Sequence, residues 1–244
     1  MMRRSLLTLS VIAHVLAIGG CDGAGRQPAA SAPSTTRAAP TTGPAAPGGA
    51  ALFAGDSLKG WRVSQWSDVG TPQQAAGAAW KIEKGVLYGL GKGTWIYSES
   101  EHGDFVLSFE VKISRGANGG VGLRFPPKGD PAYKGLEIQV VDHEVYYGGR
   151  SRPQQRTGSI YDEIAAKGVS APVGQWSAWE ITARGSRITV AINGRKVLDA
   201  DLSRETKARQ QKGPPLAERP RKGRIGFQNL SGLITVRKLR IKRL

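Results

Sequence analysis

The chain has 244 residues, a formal net charge of +16 and one cysteine. That length suits one β-rich domain with short extras. A lone cysteine excludes an intrachain disulfide and a cysteine-built zinc cluster.

Residues 1–20 read as a lipoprotein signal peptide. Arg3 and Arg4 precede an apolar run over 6–18, and Gly19 and Gly20 are the small residues expected before a cleavage point. The run is shorter than the ~20 apolar residues that a spanning helix needs. Ile18-Gly19-Gly20-Cys21 resembles a bacterial lipobox. The resemblance implies lipidation at Cys21, export to the cell envelope and anchoring to a bacterial membrane without crossing it. Residues 21–49 are dominated by Ala, Pro, Thr and Gly. They have little to bury and are expected to be a disordered tether. The domain is expected over 50–244.

Within it, period-two alternation recurs. Phe105, Leu107, Phe109, Val111 and Ile113 alternate with Val106, Ser108, Glu110 and Lys112. Trp179, Ile181 and Ala183 follow the same rule, as do Ile188, Val190 and Ile192. Asn193-Gly194 separates that last run from 196–200, a type I′ hairpin signal. Further turns are marked by Lys59-Gly60, Lys84-Gly85, Gly119-Gly120 and Arg184-Gly185. No convincing amphipathic helix is present. Many short strands between Gly-rich turns predict an all-β fold, an antiparallel two-sheet β-sandwich or jelly roll. Residues 204–222 carry seven basic residues and two acids and read as a long exposed basic, Pro-rich loop. Leu239 and Ile241 alternate with Lys238, Arg240 and Lys242, so the last charges belong to the solvent face of a strand. For an exported, anchored protein this basic excess faces membranes and wall polymers, and no nucleic-acid partner is expected.

The chemistry concentrates at 135–144 (GLEIQVVDHE). A strand here places Glu137 and Gln139 on one face and Leu136, Ile138 and Val140 on the other. Asp142 has the wrong parity unless a bulge at Val140-Val141 re-aims it. Glu137, Asp142 and His143 are candidate bases. The segment 121–125 (VGLRF) sends Val121, Leu123 and Phe125 one way and Arg124 the other. In a neighbouring strand, Arg124 would lie near Glu137, and Asn118 would face the same cleft. Trp95, Tyr97, Tyr161 and Gln228 are candidate pocket walls, since aromatic faces and amides suit a sugar. Histidine spacing gives no metal motif, and calcium on Asp or Glu oxygens stays open as a cofactor. No GxSxG elbow, P-loop or dinucleotide fingerprint occurs.

Collinear segments resemble the 3-keto-disaccharide hydrolase family: ALFAGDSLKGW, AWKIEKGVLYG, GKGTWIYS, RGANGGVGLRF, GLEIQVVD, TGSIY and GRIGFQNLSGLITVRKLRIKRL. The resemblance implies a concanavalin A-like sandwich and cleavage of glycosides whose sugar carries a ketone at C3. It also implies proton abstraction at C2, elimination of the C1 substituent and hydration. Catalytic roles would then fall to Glu137, Asp142, His143 and Arg124. Two positions depart from the family pattern. Gly119 stands where serine is common, and Leu230 where many members carry histidine. Two other readings use the same residues. One is a conventional retaining glucanase, whose E-x-D-x-x-E strand is spaced like Glu137, Gln139 and Asp142. The other is a surface-anchored carbohydrate-binding module without catalysis.

Overall fold

The computed structural model describes residues 49–53, 55–71, 79–90, 93–168, 171–207 and 212–244. The predicted signal peptide, Cys21 and all of the tether but residue 49 lie outside the described residues. The strands are β1 (Ala50–Ala51), β2 (Trp61–Gln65), β3 (Trp80–Glu83), β4 (Val86–Gly89), β5 (Thr94–Ser98), β6 (Phe105–Ile113) and β7 (Asn118–Phe125). They continue with β8 (Leu136–Val141), β9 (Ser177–Arg184), β10 (Arg187–Ile192), β11 (Arg195–Asp201), β12 (Arg224–Ser231) and β13 (Ile234–Arg243). Among the described strands and helices the α-helices are single turns, α1 (Pro131–Lys134) and α2 (His143–Tyr146).

The strands form two antiparallel sheets. One runs β11-β10-β9-β6-β13-β4-β3, with β1 added against β13; the other runs β2-β5-β12-β7-β8. This is the predicted all-β sandwich of the concanavalin A-like class. Alternation builds it directly: along β6 every odd residue from Phe105 to Ile113 is buried and every even one is partly exposed. The two inner faces meet in one core, where Phe109 of β6 stands edge-on to Phe227 of β12 with ring centroids 5.5 Å apart. The hairpin of β10 and β11 turns through Asn193 and Gly194 at φ 50° and 76°, the left-handed pair that a type I′ turn requires.

Strands β7 and β8 differ from β6 because both of their faces are buried. Val121, Ile138 and Val140 join the core, and the opposite face is roofed by loops. Residues 212–222 of the basic segment are one source of that roof, so Leu216 and Arg219 depart from its reading as an exposed loop. Leu216 is 1 % exposed and Arg219 2 %. The Arg219 guanidinium donates to the Ala132 and Gly135 carbonyls at 3.0 and 3.1 Å and pairs with buried Glu163. A cation is buried here because acceptors meet its donors.

Candidate active site

A pocket of about 450 Å³ lies on the roofed face of the five-stranded sheet. This is within the ~300–1,000 Å³ of ordinary small-molecule sites. Its floor is Glu137 and Gln139 of β8, Asn118 of β7 and Gln228 of β12. Its walls are Asp130 and Tyr133 around α1, Tyr161, Lys212, Leu230, and Trp66 with Ser67.

A glycine makes the floor possible. The register pairs Gly120 with Gln139 and Gly122 with Glu137. A Cβ on Gly120 would sit 2.2 Å from Glu137 Oε1, so the carboxyl occupies the volume that any side chain there would take. The segment over 157–164 then seals the outer edge of β8. Gln139 N–H donates to the Ser159 carbonyl at 2.9 Å, and Tyr161 N–H to the Glu137 carbonyl at 2.8 Å. Those bonds bring Tyr161 to the pocket.

The sequence-predicted residues divide into two groups. Glu137, Gln139, Asn118, Tyr161 and Gln228 come together as expected. Asp142, His143, Arg124, Trp95 and Tyr97 do not line the pocket. The register of β7 on β8 runs unbroken from Leu123↔Leu136 to Asn118↔Val141, so the expected bulge at Val140-Val141 is absent. Asp142 keeps its original parity, and its Oδ2 accepts from Gly116 N–H at 2.8 Å. Glu137 and Asp142 are therefore not side by side, as a retaining pair would need to be. His143 opens α2, and its Nε2 lies 2.9 Å from Glu144 Oε1.

The bulge falls on β7 instead. Arg124 has φ 51°, and the β12 register shifts between Arg224↔Phe125 and Gly226↔Gly122. The extra residue inverts the alternation. Phe125 turns to the roofed face, and Arg124 turns away to bond the Gly103 and Gly185 carbonyls and Asp104 Oδ1. Trp95 and Tyr97 pack with Phe125 and Val69 in a separate buried cluster. Trp95 Nε1 donates to the Trp66 carbonyl at 3.0 Å, and the Tyr97 hydroxyl to the Val69 carbonyl at 2.9 Å. They hold the 66–69 segment that delivers Trp66 and Ser67.

Asp130, Tyr133 and Lys212 are among the pocket residues that sequence reasoning missed, as are Trp66 and Ser67. One signal was available: Asp130-Pro131 is a helix N-cap followed by proline at the first helical position. Asp130 Oδ1 accepts from Ala132 N–H at 3.0 Å and starts α1, which also presents Tyr133. Lys212 Nζ stands 3.3 Å from the Tyr133 hydroxyl.

Burial sets the electrostatics. It pushes the Glu137 carboxyl up to about 8, reinforced by the charges of Asp130 and Asp162. Burial also raises Asp130 to about 6, against the opposing Ala132 N–H bond and the Lys212 charge. Tyr161 is pushed up to about 12 by burial, with Asp162 adding to it. Asp162 itself is paired with Arg152 at 2.6 Å. Near pH 7 the pocket therefore holds one neutral and one ionised carboxyl. The Asn118 Oδ1 atom is buried without a protein hydrogen-bond partner. Among the described residues, no group of three or more His, Cys, Asp or Glu side chains gathers as a metal site.

Position 119 lies on the opposite sheet face from Glu137, where a Cβ would meet Ile234 Cδ1 at 2.5 Å. The departure at Gly119 is thus remote from the pocket, whereas Leu230 is part of its wall.

Residues 48–242 match the model of the 3-keto-alpha-glucoside-1,2-lyase-like domain. A crystal structure described as a candidate glycosyl hydrolase from Parabacteroides distasonis ATCC 8503 aligns with a TM-score of 0.63 at 27% identity, covering 75% of this chain and 100% of that one. A second candidate glycosyl hydrolase from the same organism shares the fold, with a TM-score of 0.65 at 20% identity over 79% and 92% of the two chains. No curated protein matches the chain. With four-fifths of its length under one family model, the chain belongs to the 3-keto-alpha-glucoside-1,2-lyase-like family, a glycosyl hydrolase-like, carbohydrate-active group.

Proposed function

We propose that the domain cleaves 3-keto-glycosides by elimination followed by hydration, with Asp130 as base and Glu137 as proton donor. The observation that carries this is the placement of two carboxyls, Asp130 and Glu137, in the lining of one pocket; burial raises them to about 6 and about 8, which leaves one able to take a proton and one able to give it near neutrality.

A ketone at C3 acidifies the hydrogen on C2. Asp130 takes that proton, and the C–H electron pair becomes the C2=C3 enolate. The enolate oxygen needs donors or positive charge, which Lys212 and the Tyr133 hydroxyl supply. The enolate then collapses to an enone with a C1=C2 bond, expelling the C1 oxygen as Glu137 protonates it. Water adds across C1=C2 with its oxygen on C1 and a proton on C2, so the net change is hydrolysis. Gln139, Gln228 and Asn118 offer hydrogen bonds to sugar hydroxyls, and Tyr161 an aromatic face. The signal-like residues 1–20 and Cys21 support export and lipid anchoring at the cell envelope as part of the same proposal.

The test incubates the protein with a 3-keto disaccharide and, separately, with its unoxidised parent. Release of 3-keto-sugar or its glucal from the first alone is expected. Cleavage of the parent alone would return the retaining-glucanase reading, and binding without cleavage of either would leave a carbohydrate-binding module.

A further inference from the structure

A second cavity, of about 590 Å³, lies apart from the first at one end of the sandwich. Lys59 and Trp61 approach it from the start of β2, and Lys242 and Arg243 from the end of β13. His102 lines it and is 5 % exposed, with neither ring nitrogen bonded to any protein group. The ring is anchored through the backbone, where His102 N–H donates to the Gly223 carbonyl at 2.7 Å and the His102 carbonyl accepts from Gly223 N–H at 3.1 Å. Among the described residues no acidic side chain lines the cavity, and none of its three cations, all exposed, forms an ion pair.

A buried imidazole with two idle nitrogens, beside three unpaired cations, is a polar arrangement awaiting a ligand. The charge selects an anion. A neutral imidazole offers one donor and one acceptor, and the cations reach in from two elements. A carboxylate meets such donors in one plane, whereas a phosphate presents oxygens in several directions. Trp61 and Leu52 supply an apolar wall, so the ligand carries an apolar part beside its charge.

We infer that this cavity binds a phosphate ester, its oxygens on His102, Lys59, Lys242 and Arg243 and its apolar part against Trp61 and Leu52. Two sources share that chemistry: a soluble phosphate monoester and the headgroup of an anionic phospholipid. Neither depends on the reaction proposed for the first pocket.

The chain has three histidines, so their ring signals are resolvable by nitrogen NMR on the full chain, with His14→Gln and His143→Gln assigning the third. The probes are glycerol 3-phosphate, a monomeric short-chain phosphatidylglycerol, and chloride at matched ionic strength. A saturable shift of both His102 ring nitrogens with a phosphate probe is expected. The double variant Lys59→Gln/Arg243→Gln, both exposed positions, should raise the half-saturating concentration about tenfold or more. Comparable response to both esters assigns a soluble ligand, and response to phosphatidylglycerol alone assigns the lipid headgroup. The inference is overturned if neither ester shifts His102, if chloride shifts it equally, or if the double variant responds as the parent does.

Discussion

The carboxyls of the pocket and those on the outer face of the eight-stranded sheet live under opposite rules. Asp199 accepts from Arg187 at 2.7 and 2.9 Å and from Lys196 at 2.7 Å, and these partners hold it far below the usual carboxylate range. Asp201 is lowered to about 2 by Ser203 and Ser186. Glu137 and Asp130 sit in a protein with a formal charge of +16, yet both are raised. The nearby arginines are committed elsewhere: Arg152 to Asp162, Arg219 to Glu163, and Arg124 to Asp104. The comparison teaches that net charge does not set the potential inside a pocket. What matters is which cations the fold allows to reach it, and among the described residues the pocket lining contains one, Lys212.

The contrast can be broken at its centre. Asp130→Asn removes the ionised member of the pair and should lower kcat/KM on a 3-keto disaccharide by about 10²–10⁴-fold, the usual worth of a general base. Asp199→Asn, on the outer face, should leave the same rate unchanged. Glu137→Gln should cost a comparable ~10²–10⁴-fold in turnover while sugar binding, followed by calorimetry, persists. That variant also tests the electrostatics. A carboxyl raised from 4.5 to about 8 is ionised first in the unfolded chain, so it contributes a penalty to folding that grows over that pH window. Glu137→Gln removes the penalty. Its unfolding midpoint should exceed that of the parent increasingly between pH 4.5 and about 8, and by a constant margin above. An unchanged difference across that window would refute the raised carboxyl.

Releasing a committed arginine sharpens the comparison from the other side. Arg219→Met removes the buried guanidinium that pairs with Glu163 and bonds the Ala132 and Gly135 carbonyls, and should destabilise the fold by about 3–5 kcal/mol, read by denaturant titration. The pH profile of kcat/KM should be bell-shaped. Activity should fall below about 6 as Asp130 takes up a proton and above about 8 as Glu137 loses one. The smallest effect is expected from Lys212→Met. Loss of an enclosed oxyanion donor costs ~10²–10³-fold, and exposed Lys212 should cost about tenfold.

The legibility of the site followed the parity of its strands. Glu137, Gln139 and Asn118 were readable because an unbroken ladder keeps alternate residues on one face. Arg124 was misread because one residue in a left-handed conformation inverted that parity, and Leu-Arg-Phe carries no glycine to mark it. Trp95 and Tyr97, expected as pocket walls, do not line the pocket; they pack in a separate buried cluster and bond the Trp66 and Val69 carbonyls. Asp130, Tyr133 and Lys212 sit on loops, where no period links a residue to its partners.

By itself the sequence determined the sandwich, its hairpins, the apolar core and the face on which the chemistry stands. Local alternation and turn residues act within a few positions of the chain, and a strand's two faces follow from them alone. Only the tertiary structure decided which carboxyls meet. It placed the bulge on β7 rather than β8, turned Asp142 toward Gly116, and brought Asp130 and Lys212 over Glu137's pocket from segments 7 and 75 residues away. Raised carboxyl pKa values arise from burial and from the routing of distant arginines, and neither is encoded in any local stretch of residues.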